Sequence, residues 1–95
     1  MGMESFAEGF FAMVFSATGD TIKTEEEAKR HFQTSIIPTP REISKSCGLA
    51  IRFTKPDEQE LKAFFEQRNV PCALYFLSER NEQGQRIARQ LGEKK

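Results

Sequence analysis

The chain switches between two hydrophobic rhythms, and the switches divide it into strands and helices. After a loose lead-in over residues 1–9, residues 10–15 (FFAMVF) form a short, almost wholly apolar run. Such a run suits a strand buried on both faces. Periodicity alone also admits a buried helix, but the run is short and ends in Ser-Ala-Thr-Gly. Thr18, Gly19 and Asp20 supply turn and helix-start chemistry, and residues 21–32 read as a helix with a thin apolar stripe of Ile22, Ala28 and Phe32. Its EEEAKR face sets Glu25 against Lys29 and Glu26 against Arg30 at i,i+4, the spacing of ion pairs on a solvated surface. Residues 33–37 predict a second strand ended by Pro38, and a proline there fits a sheet edge.

Thr39-Pro40-Arg41-Glu42 has the form of a capping box, with Thr39 as N-cap, Pro40 at the first helical position and Glu42 reaching back. A single helical turn over residues 40–46 is expected, stopped by Gly48, since glycine accepts the left-handed backbone of a helix end. Residues 49–53 (LAIRF) then alternate: Leu49, Ile51 and Phe53 share one face, Ala50 and Arg52 the other. Thr54-Lys55-Pro56-Asp57 opens a second helix whose Leu61, Phe64 and Phe65, at i, i+3 and i+4, make a buried stripe that runs out at Asn69. Residues 70–77 (VPCALYFL) are a fourth strand.

The order β-α-β-β-α-β over residues 10–77 predicts an α+β fold, a ferredoxin-like sandwich with a four-stranded antiparallel sheet and two helices on one face. The polar tail, 78–95, places Ile87, Ala88 and Leu91 for a weakly amphipathic helix interrupted at Gly84. It can dock on the open sheet face, meet a partner or stay mobile.

Ninety-five residues suffice for one compact domain with a modest core, which nine phenylalanines and no tryptophan make aromatic. Acidic and basic residues balance at 14 each, and no basic stripe with interleaved aromatics appears, so no nucleic-acid partner is expected. No window approaches the roughly eighteen apolar residues of a membrane span, and the N-terminus lacks the basic region of a signal peptide. A cytoplasmic protein is expected, with its two cysteines as free thiols. One histidine, His31, with no ligand at i+4, and glycines too scattered for a phosphate loop leave no metal and no cofactor to expect.

Candidate chemistry gathers between Pro38 and Phe53. Cys47 lies there, preceded by Arg41 and Lys45, which can favour a thiolate, and by Ser44 and Ser46, whose hydroxyls can donate to the sulfur. Against this, the C-terminal end of a helical turn disfavours an anion. Cys47 is therefore either a working thiol or a small residue at a strand entrance. Arg52 can neutralise an anion or snorkel at the surface. Cys72, inside an apolar strand, reads as core; a bridge to Cys47 depends on their separation, and without a CxxC there is no thioredoxin-type dithiol.

The segment PTPREISKSCGLAIRF resembles the motif PTPREIS-x-SCGLA-[IL]-RF of a small bacterial family of selenium/sulfur carrier-like proteins. The resemblance runs over roughly residues 11–76 and marks Thr39, Pro40, Arg41, Glu42, Ser44, Ser46, Cys47, Gly48 and Arg52. It departs from the family in a leucine-poor first helix and in the tail past Ser78. It implies a carrier or adaptor rather than a stand-alone enzyme, with Cys47 holding sulfur or selenium as a persulfide or selenosulfide. The implied partners are a desulfurase-type donor and an acceptor enzyme. The alternative is a non-catalytic module that binds small molecules or proteins, with a homodimer through the sheet left open; its recognition loop could take an anion at Thr39–Arg41.

Overall fold

The structure, a computed structural model, describes residues 9–43 and 48–95. The elements run β1 (Gly9–Phe15), α1 (Thr18–Ala28), β2 (Thr34–Pro38), β3 (Leu49–Phe53), α2 (Glu58–Glu66), β4 (Cys72–Ser78) and β5 (Ala88–Lys94). The strands form a five-stranded sheet in the order β2-β3-β1-β4-β5, with every neighbouring pair antiparallel. The α+β class therefore stands, and the expected four strands become five.

The fifth strand comes from the tail. The stretch expected to form a weak amphipathic helix lies extended and pairs with β4 from Cys72↔Lys94 to Leu77↔Ala88. Asn81 builds the turn between them: its side-chain oxygen accepts from the backbone N–H groups of Gln83 and Gln85, both at 2.9 Å. Gly84 takes the left-handed backbone, φ +78°, that closes such a turn. The register shifts between Leu74 and Tyr75, leaving Leu91 as the extra residue of a bulge. β5 gives β4 a hydrogen-bonded neighbour where β4 would otherwise end the sheet with a bare apolar edge.

Alternation along the strands divides the core by face. Phe11, Met13, Phe15, Ile51, Phe53, Leu74 and Phe76 meet Ala28 of α1 and Leu61, Phe64 and Phe65 of α2, so both helices cover one face. The α2 stripe is the predicted one, and Asp57 caps the helix by accepting from the Glu60 N–H at 3.0 Å. In α1 the buried positions are Thr21, Thr24 and Ala28, while Ile22 is 49% exposed, so the expected stripe is corrected by one position. Thr21 tolerates burial because its hydroxyl donates to the Ala17 carbonyl at 3.4 Å. The helix ends at Ala28 and the following turn delivers Phe32 edge-on to Phe53 and Phe64, with ring centroids 5.4 and 5.6 Å away.

Neither expected i,i+4 pair of α1 forms among the described residues. Glu25 instead accepts from the Thr34 hydroxyl at 2.8 Å, and Glu27 receives both Arg68 nitrogens at 3.0 and 3.3 Å. Both partners are fixed by neighbouring elements, so ordering them costs less than ordering two free side chains of one helix face.

The opposite sheet face has its own apolar cluster: Phe10, Ala12, Val14, Ala50, Ala73 and Leu77, roofed by Ile43 from the β2–β3 connection. Among the described residues no helix is long and apolar enough to cross a membrane.

Candidate functional site

The β2–β3 connection is a hairpin loop folded back over the sheet. Pro38 pairs with Leu49, and the Thr39 N–H donates to the Gly48 carbonyl at 2.9 Å, closing the loop at its neck. The Pro40 carbonyl accepts from the Ile43 N–H at 2.9 Å, the bond of a β-turn. Ile43, 3% exposed, then plugs into the open-face cluster.

This geometry corrects the expected helix. Residues 40–43 form a turn and no helix, and Gly48 lacks the left-handed backbone of a helix stop. The capping box fails for a specific reason. The N–H that Glu42 would have to reach, that of Thr39, is already given to Gly48, and the Glu42 carboxylate makes no hydrogen bond among the described residues. Strand pairing takes the donor that the helix needed. Ser44, Lys45, Ser46 and Cys47 lie outside the described residues, and with them the candidate thiol.

The described site residues converge. Thr39, Pro40, Arg41 and Glu42 line a cavity of about 560 Å³ with Phe10 and Arg52 from the open sheet face. The third wall is the β4–β5 connection, which contributes Arg80, Gly84, Gln85 and Arg86. Gly48 is exposed and is not part of the lining. The cavity continues past Gly9 and Glu79 into a smaller recess of about 310 Å³ that shares Phe10, Arg52, Arg80 and Arg86.

Four arginines therefore line this space, together with Glu42 and Glu79. None of the four is ion-paired among the described residues. Arg52 lies over the Phe10 ring at 4.5 Å and Arg86 over the same ring at 5.1 Å. Arg86 donates to the Ser78 carbonyl at 3.1 Å and Arg80 to the Gly84 carbonyl at 3.0 Å, contacts that hold both side chains in place. The Nε of Arg52 is buried and has no hydrogen-bond partner among the described residues.

Sequence reasoning misses Arg80 and Arg86, because it treats the tail as a polar extension with a weak helical pattern and assigns it no place in the sheet. The signal was present: Asn81-Glu82-Gln83-Gly84 has asparagine at the first and glycine at the fourth position of a turn, a hairpin signature. Cys72, by contrast, is a free thiol, 5% exposed on the helix-covered face. Burial pushes its pKa up, with Lys94 and Arg68 opposing more weakly.

An α+β sheet with a loop bearing the PTPREIS sequence folded onto its uncovered face narrows the class of protein. Residues 11–75 match the family described as "Putative Se/S carrier protein-like". The match covers well over half of the chain, and the chain belongs to that family. No curated protein and no solved structure gives a significant match. Arg80, Arg86 and β5 lie beyond the matched segment.

Proposed function

We propose that the protein is a sulfur or selenium carrier that uses Cys47 as its carrier thiol. Family membership over residues 11–75 carries this reading, because the matched segment contains the SCG step. Two features of the fold support it. The described part of the expected helix, residues 40–43, is a turn and does not build the stack of aligned peptides that would set a dipole against a nearby anion. Arg41 and Arg52 reach the cavity on which this loop closes, and positive charge favours the thiolate that must attack.

The step is an exchange without net redox. The Cys47 thiolate attacks the terminal sulfur of a donor persulfide, R–S–SH. A bond forms between Cys47 Sγ and that sulfur, the donor S–S bond breaks, and R–S⁻ leaves to take up a proton. The acceptor enzyme repeats the exchange on the loaded Cys47. A selenosulfide donor, R–S–SeH, follows the same course. Lys45, Arg41 and Arg52 support the anion, and Ser44 and Ser46 donate to it. Thr39, Pro40, Glu42 and Gly48 shape the loop. The protein then acts in the cytoplasm as an adaptor between a desulfurase-type donor and an acceptor. Its β1–β4 unit reads as a ferredoxin-like sandwich extended by β5, a reading supported by the interleaved order β2-β3-β1-β4.

The test is incubation with a cysteine desulfurase and cysteine, followed by intact mass measurement. A gain of one sulfur that is lost in Cys47→Ser and released by reductant is expected. Equal labelling of Cys47→Ser, or no gain in the wild type, rejects the carrier reading.

A further inference from the structure

We propose that the arginine-lined cavity between the two hairpin loops binds a small, multiply charged oxyanion, a molecule bearing two or more phosphoryl or carboxylate groups. The proposal does not rest on Cys47 and concerns residues on both sides of the family-matched segment's end.

Charge concentration is the first support. The protein is neutral overall, with 14 basic and 14 acidic residues, yet Arg41, Arg52, Arg80 and Arg86 face one concave space. Like charges held together destabilise a fold, and a concave wall of one sign focuses the field on whatever enters. Elsewhere the fold pairs a comparable arginine: Arg68 takes both oxygens of Glu27. Glu42 and Glu79 border the cavity without pairing to its arginines.

Pre-organisation is the second. Arg52 and Arg86 lie over one ring, that of Phe10, and Arg80 and Arg86 are tethered to backbone carbonyls. Tethered guanidiniums lose less freedom when they bind an oxyanion, and their forked donors match two oxygens at once. The buried Nε of Arg52 is a donor stripped of water and, among the described residues, without an acceptor, a cost that an oxyanion accepting from it would remove.

Size is the third. A space of about 560 Å³ falls within the roughly 300–1,000 Å³ of small-molecule sites. Phe10, Ile37 and Pro38 line it with carbon for the uncharged part of the ligand. A bounded cavity on a neutral protein is the wrong shape for a polymer backbone, which needs an extended basic track.

Calorimetric titration of the full chain with pyrophosphate and with citrate, at matched ionic strength, tests the site. At least one should bind saturably with a Kd below about 1 mM, and the tighter one shows whether phosphoryl or carboxylate groups are preferred. Arg86→Gln and Arg41→Gln should each weaken binding about tenfold, the loss of one charge-assisted contact. Among the described residues Arg41 makes no hydrogen bond or ion pair, so its variant keeps the fold even if others do not. Arg30→Gln, on a remote exposed position, should leave affinity unchanged. Cys47→Ser should bind as the wild type does, so a failed carrier assay and a failed anion site are separable. No saturable binding of either anion, an unchanged Kd in both cavity variants, or equal weakening by Arg30→Gln overturns the proposal.

Discussion

Cys72 shows how far one residue's chemistry is set by its surroundings. Its thiol is 5% exposed, and burial raises its pKa. The fold therefore favours the protonated form. That contribution is present in full below the ordinary thiol pKa of about 9.0 and is lost as pH rises through the raised value. Stability should fall above pH 9 in the wild type and fall less steeply in Cys72→Ala, as read from urea midpoints at pH 8 and pH 10; parallel curves would contradict the assignment. Iodoacetamide should label Cys72 only once the chain unfolds, and fast labelling of the native protein would place the thiol nearer solvent than it is here. Gly9 is a second case. Its φ of +144° and the Leu77 carbonyl, 2.3 Å from where a Cβ would sit, leave no room for a side chain. Gly9→Ala should cost roughly 1–3 kcal/mol in denaturant unfolding. The sequence assigns this residue to a lead-in because the contact that constrains it lies on β4, 68 positions along the chain.

Elements became legible in proportion to how much apolar surface they commit. The strands β1 and β4 read correctly as continuous apolar runs buried on both faces, β3 by its alternation, and the stripe of α2 by its i, i+3, i+4 spacing. The register of α1 did not, because Thr21 and Thr24 occupy its buried positions and read as polar. β5 is an edge strand with only Ala88 and Leu91 packed inward, and its conformation follows from the free edge of β4. Gly92 joins it to the core: a Cβ there would stand 2.7 Å from the Phe65 ring. Gly92→Val should push Phe65 aside and lower the melting temperature by several degrees, on the scale of an overpacked core; an unchanged transition would show that β5 can lift away at no cost. The tie between helices is weaker. Arg68 lowers the pKa of Glu27, first by its hydrogen bonds and then by its charge. A lowered carboxylate pKa contributes stability above the ordinary value of 4.5, lost as pH falls through the folded one. Glu27 is about half exposed, so salt screens the effect. Glu27→Gln should flatten the loss of stability between pH 6 and pH 3 slightly, and only at low salt.

At the scale of the molecule, one sheet face is covered by helices and the other by loops, and the candidate site exists because of the second arrangement. The sequence brought Thr39, Arg41, Glu42 and Arg52 into one neighbourhood through the hairpin. Nothing local in it could bring Arg80 and Arg86 there, since their convergence depends on β5 turning the tail back along β4. The weakest tie in this roof is also its anchor. Ile43 is the one buried side chain among the described residues of the loop, set on Phe10, Ala12, Val14, Ala50, Ala73 and Leu77. Truncating it removes the apolar contact that holds Arg41 and Glu42 against the sheet. Ile43→Ala should cost about 2 kcal/mol, the low end for a buried isoleucine, because the loop can partly collapse into the space. The loss should be local as well as global. Hydrogen exchange at the Ile43 amide, which donates to Pro40, should accelerate by more than global destabilisation accounts for. Amides of β1, whose pairing to β3 and β4 does not involve the loop, should follow the global change alone. Uniform acceleration across both sets would mean that the loop opens only when the whole sheet does, and that the arginine cavity is as rigid as the core beneath it.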